Sequence, residues 1–144
     1  MIEQDTIRLM RECDAGIKMG VSSIEDVLDF VSNKEFKAYL TDQKQEHEKL
    51  RVELEELLDK YHDDGKEPNP MAKGMSWMKT NVKLTLNESD ETIADLITDG
   101  CNMGVKSLNK YLNKYEAAEE KVKDITKRLL NLEEQLAIEI RKYL

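Results

Sequence analysis

A chain of 144 residues is the size of one ordinary domain, long enough to bury a core without disulfides or metal staples. Its formal net charge of −8 is spread along the chain rather than gathered in blocks, which argues against nucleic acid or an anionic membrane as partner. Hydrophobic residues make up 40% and charged residues 36%, with two prolines, six glycines and few aromatics, a balance that favours helices over sheet.

The opening stretch MIEQDTIRLMRE mixes acids and bases without an apolar h-region, so no signal peptide is expected there. No run approaches the roughly 18 apolar residues of a spanning helix, and the expectation is a cytoplasmic protein with no membrane partner. Cys13 and Cys101 lack a C-x-x-C spacing and read as small apolar residues, buried or half-buried, in a reducing compartment.

The first predicted helix carries apolar and small residues in steps of three and four through Ile2, Thr6, Leu9, Cys13, Gly16, Gly20, Ile24, Val27 and Val31. Ser32 and Asn33 then serve as stop and cap. A second seam follows through Phe36, Leu40, Gln43, His47, Leu50, Leu54, Leu57 and Tyr61, and ends at HDDG, where Gly65 is the expected terminator. The third helix begins after Asn87 or Ser89, with Asp90 and Glu91 in its first turn, and carries Ile93, Ile97, Gly100, Gly104, Leu108, Tyr111 and Tyr115. The fourth follows a break near Ala117 through Ala118, Val122, Ile125, Leu129, Leu132, Leu136, Ile140 and Tyr143.

Short connections make each pair of helices an antiparallel hairpin, 2–61 and 89–143, joined by a crossover over 62–88 in a single four-helix bundle. Within the crossover, Met71, Met75, Met78 and Val82 recur at helical spacing beside Trp77, predicting a short helix along the bundle that reverses the second hairpin. The expected order is up, down, down, up. The halves also echo each other: GIKMGVSSI from Gly16 to Ile24 recurs as GCNMGVKSL from Gly100 to Leu108, and KLRVELEELLDKY has a looser counterpart in LEEQLAIEIRKYL. The paired glycines need a reason, because each costs a helix interior about 1 kcal/mol relative to alanine.

The order of features, ECDAGIKMGVSSIEDVL and FKAYLTDQKQEHEKL, then GMSWMKTNVKLTL and ITDGCNMGVKSLNKYL, resembles the ferritin-like superfamily. More closely, it looks like a bacterial ferritin-like family known only as a domain of unknown function. Iron proteins of that fold place a glutamate on helices one and three and a Glu-x-x-His on helices two and four, all facing inward at one level. Counted from the hairpin turns, the equivalent positions here are Gly20, His47, Gly104 and Leu129, with Gly16 and Gly100 one turn away. Three residues before His47 stands Lys44, and three before Leu129 stands Thr126. The resemblance therefore implies a metal site that has been removed, leaving a closed packing layer in which small residues let helices one and three approach.

A rearranged metal site would draw on Gln43, Glu46 and His47, with Glu25, Asp26 or Cys13 beside them, yet only Gln43 and His47 fall on the inward seam. Those two read as a buried hydrogen-bonded pair that sets register. His62 reads as a solvated residue at a helix end, and Glu53, Glu55 and Glu56 as a solvated face. No phosphate loop, nucleophile elbow or paired cysteines occur. Met19, Phe30 and Met103 lie off the seams and supply a candidate self-association face. The expected protein is a metal-free ferritin-like bundle that forms a homodimer, binds or supports without catalysing, and holds no cofactor. An iron- or manganese-binding oxidase or storage protein with a site around His47 is the alternative, and a glycine-lined cavity for a small apolar ligand, or an unknown protein partner, is a third.

Overall fold

A computed structural model describes residues 2–68 and 89–144 of the chain. Four helices occupy nearly all of it: α1 (Ile2–Leu28), α2 (Lys34–Lys60), α3 (Asp90–Lys114) and α4 (Glu120–Glu139), with a 3-10 turn from Ile140 to Tyr143. No strand occurs among the described residues, and no described helix is long and apolar enough to cross a membrane. The short helix expected around Met71, Met75, Trp77, Met78 and Val82 lies outside the described residues.

Local chemistry sets the helix ends. Asn33 is extended, and its side chain accepts from the Phe36 N–H at 3.0 Å; Ser89 does the same for Thr92 at 3.1 Å. Each such cap satisfies a donor the helix cannot, worth about 1 kcal/mol. Helix α2 stops at Lys60, five residues before the glycine expected to end it. The left-handed residue that turns the chain is His62, at φ 54, and Gly65 at φ 81 serves the next turn instead.

That next turn straps the chain back onto α1. Arg11 meets Asp63 at 2.6 Å, Lys66 meets Glu12 at 2.6 Å, and Lys18 bridges Asp14 at 2.8 Å and Glu67 at 3.0 Å. Asp14, a buried carboxylate, also accepts the Lys66 backbone N–H at 3.0 Å. Both of its bonds are charge-assisted, which is what keeps a buried carboxylate tolerable. A side chain at Gly65 would collide with that carboxylate, so the left-handed turn and the close approach both call for glycine.

Two further loop contacts tie the hairpins together. The backbone N–H groups of Ser32 and Asn33 donate to the Asp90 carboxylate at 2.8 and 2.9 Å. At the other end, the N–H of Ala117 donates to Asp5 at 3.2 Å and that of Glu119 to the Thr6 hydroxyl at 2.9 Å. Helix α1 packs on α2 and α3, α4 packs on α3 and α2, and α1 meets α4 across the diagonal. This diagonal contact explains why α1 buries Met10, Ile17 and Val21 in addition to the predicted seam, while Ile2, at its first position, is exposed.

The core is divided. One apolar cluster gathers Leu9 to Val21 of α1, Leu50, Leu54 and Leu58 of α2, Leu108 of α3 and Val122 to Leu129 of α4. The other gathers Ile24 to Val31, Phe36 and Leu40, Ile93 to Cys101, Leu136 and Ile140, with Phe36 stacked on Tyr143 at 4.3 Å between centroids. Cys13 and Cys101 are free, buried, and in different halves. Between the clusters lies a polar waist.

Candidate functional site

The waist is built from one position on each helix. His47 of α2 is fully buried, and its Nε2 lies 3.1 Å from Oε1 of Glu133 on α4, which is buried as well. Its Nδ1 lies 2.7 Å from the backbone carbonyl of Gln43, one turn earlier. A carbonyl only accepts, so Nδ1 carries a hydrogen and donates it. Nε2 therefore has no second way to be satisfied than through the proton on the line to Oε1. Whether written as imidazolium and carboxylate or as imidazole and carboxylic acid, the pair holds that one proton.

Helices α1 and α3 contribute absence of bulk. A Cβ on Gly20 would stand 2.7 Å from Cδ2 and 2.8 Å from Nε2 of His47, closer than real side chains come. A Cβ on Gly104 would stand 3.7 Å from Cδ and from Oε2 of Glu133, in ordinary contact. Gly20 makes room for the imidazole from α2, whereas beside the carboxylate from α4 a methyl at Gly104 would also fit. In the layer expected to be closed by small residues on α1 and α3, the groups nearest each glycine are the imidazole from α2 and the carboxylate from α4.

Two other members of the expected layer also move. Leu129 belongs one turn away, 3.3 Å from where a Cβ on Gly16 would stand, and Glu133 takes its predicted level. Gly100 is exposed with nothing within 4 Å of a Cβ there, and Cys101 faces inward in its place. The expected side-chain pairing of Gln43 with His47 is replaced by the backbone contact, and Gln43 Oε1 is buried without a hydrogen-bond partner.

The electrostatics follow the geometry. Burial pulls the His47 pKa down, but the hydrogen bond and charge of Glu133, with the Gln43 carbonyl and the charge of Glu48, outweigh it, and the net direction is up. Burial pushes the Cys101 thiol far up, and the neighbouring charge of Glu133 pushes it further. Burial likewise raises Cys13 to about 12. Neither cysteine is poised as a nucleophile.

The donor set does not fit the metal centre that the ferritin-like resemblance implies. That centre needs inward carboxylates on helices one and three, where Gly20 and Gly104 stand, and a Glu-x-x-His on two helices. Glu46, the remaining carboxylate of the alternative site, pairs with Lys49 at 3.0 Å on the surface, and Lys44 pairs with Glu25 at 3.1 Å. Among the described residues, no three His, Cys, Asp or Glu side chains are grouped as a metal ion requires.

Glu133 is the residue that reading the sequence missed, and a signal for it exists. In LEEQL both Leu132 and Glu133 continue the helical row from Leu129, and hydrophobicity favours Leu132, which is only half-buried. An inward histidine on the facing helix has two ring nitrogens to satisfy, and Gln43 can meet only one of them, which is the signal for a carboxylate opposite it. Compared with protein families, curated proteins and solved structures, the chain has no match.

Proposed function

We propose that this chain is a ferritin-like bundle of up-down-down-up order whose middle layer holds a proton in place of metal, and that it works as a self-associating binding or structural protein without catalysis. The observation that carries the reading is the waist itself: His47 and Glu133 fill the level at which two carboxylates of an iron site would stand, and glycines occupy those two positions. The order is supported by the loop contacts. Asp90, which opens α3, caps the turn that closes α1, and the turn between α3 and α4 bonds to Asp5 and Thr6 at the start of α1. Exposed Phe30 and Met103 supply apolar surface for a second copy.

Metal analysis of protein purified without chelator, beside sedimentation to read the oligomeric state, tests the proposal. The expected result is no stoichiometric iron, manganese or zinc in the wild type and a dimer in solution. Stoichiometric metal that is lost in His47→Ala overturns the metal-free reading, and a monomer at high concentration removes self-association.

A further inference from the structure

A buried ion pair inside an apolar core is expensive to desolvate, and it is tolerated only while its hydrogen bonds are complete. Completeness at the waist depends on one proton. With it, Nε2 and Oε1 are joined at 3.1 Å; without it, the neutral ring has one N–H for two acceptors, and the shorter contact, 2.7 Å to a helix carbonyl that cannot turn away, keeps it, so a lone pair and a carboxylate face each other. One of the two groups must then leave.

The surroundings decide which. The imidazole is fully buried, anchored through Nδ1 to the Gln43 carbonyl at 2.7 Å, and flush against the backbone of Gly20. The carboxylate has an exit. The Glu133 side chain is 10% exposed, and it lies beside Gly104, a half-exposed position on α3 with no side chain to block the way. We propose that His47 and Glu133 form a proton-operated latch: with the shared proton in place Glu133 closes the waist, and on its loss the carboxylate swings out over Gly104 and water enters between the two halves of the core.

The groups facing the pair come from every helix. α1 presents Gly20, α2 the Gln43 carbonyl and the charge of Glu48, α3 the Cys101 thiol and Gly104, and α4 Glu133 itself. The cations nearest in sequence to His47, Lys49 and Lys44, are engaged with Glu46 and Glu25. Acidic neighbours hold the proton in, so the latch stays closed past the pH at which a free imidazole loses its proton and opens on the alkaline side of it. The sign is that of a group whose folded pKa is raised: its contribution is full below the unfolded value and is lost as pH rises through the folded one. The inference rests on the geometry of the waist and stands apart from the ferritin-like reading.

Glu133→Gln separates a latch from an inert polar layer. The glutamine amide donates to a neutral His47 Nε2, keeping the hydrogen bond without a titrating proton. The readout is backbone amide hydrogen exchange of residues 100–105 by NMR, expressed as protection over the intrinsic rate from about pH 6 to pH 10. In wild type, protection is expected to fall by up to about tenfold per pH unit as pH rises from the free-imidazole range toward the raised pKa of the pair and to level off above it, because opening is coupled to one proton, and in the variant to stay level. Parallel profiles in the two proteins overturn the proposal. If the variant does not fold, wild type alone decides: the ring nitrogen shifts of His47 and the carboxyl carbon shift of Glu133 must change over the pH range in which protection stops falling, and a change elsewhere overturns it equally.

Discussion

Substituting alanine at the four paired glycines should give opposite signs at positions the repeated motif makes equivalent. At Gly100 a Cβ meets nothing within 4 Å, so Gly100→Ala gains only helix propensity and should stabilise by about 0.5 to 1 kcal/mol. At its counterpart Gly16 the new methyl meets Leu129 at 3.3 Å, tight enough to consume that gain and leave stability roughly unchanged. Gly104→Ala finds Glu133 at 3.7 Å, an ordinary contact, and should be neutral or mildly stabilising. Gly20→Ala is the severe case, because the methyl would lie 2.7 Å from a ring that is fully buried and pinned at both nitrogens. Overpacking of this kind costs about 1 to 3 kcal/mol, and a ring displaced far enough to break the Glu133 contact adds part of the 3 to 5 kcal/mol of an orphaned buried partner. Against the propensity gain, a net loss of about 2 to 5 kcal/mol is expected, or a fall in Tm of roughly 5 to 15 °C. Urea unfolding followed by circular dichroism, with calorimetry for Tm, ranks the four. If Gly20→Ala is as stable as Gly100→Ala, the imidazole does not fill the space beside Gly20 and the described waist is wrong.

Gly65→Ala should lose more than the ~1 kcal/mol of a left-handed non-glycine residue, because its methyl also collides with the Asp14 carboxylate; urea midpoints measure the loss, and a neutral result would mean the strap on α1 is not held as described. Ser89→Ala should cost about 1 kcal/mol by removing the cap on the Thr92 N–H, with fraying confined to the first turn of α3 in amide exchange. On the acid side, hydrogen bonds from Arg11 and Arg128 hold Asp63 and Glu53 below the usual carboxylate range. Their contribution is present above the unfolded pKa and is lost as pH falls through the lowered folded value; both pairs are partly exposed, so the loss is small, fades with salt, and should shrink in Asp63→Asn when urea midpoints are compared from about pH 6 to pH 3.

Four helices, their caps at Asn33 and Ser89, and most of the buried row on each were legible because they rest on local rules: a 3.6-residue period and a side chain that satisfies a helix-end donor. What was not legible is the choice between adjacent rows. Leu57 or Leu58, Gly100 or Cys101, Leu132 or Glu133 each continue the helical step equally well, and the structure buries the second of every pair. In the first case nothing in the residues distinguishes them. In the second the internal repeat pointed the wrong way, since Gly16 faces Leu129 while Gly100 faces solvent. In the third, ranking by hydrophobicity selected the leucine, although a carboxylate opposite a buried histidine satisfies a donor that leucine would leave unpaired.

That third case changes what the glycines mean. A glycine pair on α1 and α3 taken alone implies helices drawn together, as small residues permit at many helix crossings. Gly20 is instead shaped to an imidazole arriving from α2, and Gly104 stands beside a carboxylate arriving from α4, so neither position can be understood from its own helix. The cost of about 1 kcal/mol per glycine is offset only if the pair it accommodates is worth keeping. Replacing His47 and Glu133 together by apolar residues of similar size is the decisive comparison. A double variant such as His47→Leu with Glu133→Met should fold and gain stability, since a well-packed apolar layer commonly matches or exceeds a buried ion pair. It should also lose the alkaline fall in protection. If instead the double variant is less stable than wild type across the pH range, the waist is a structural element in its own right, and the glycines were selected for packing rather than for a proton.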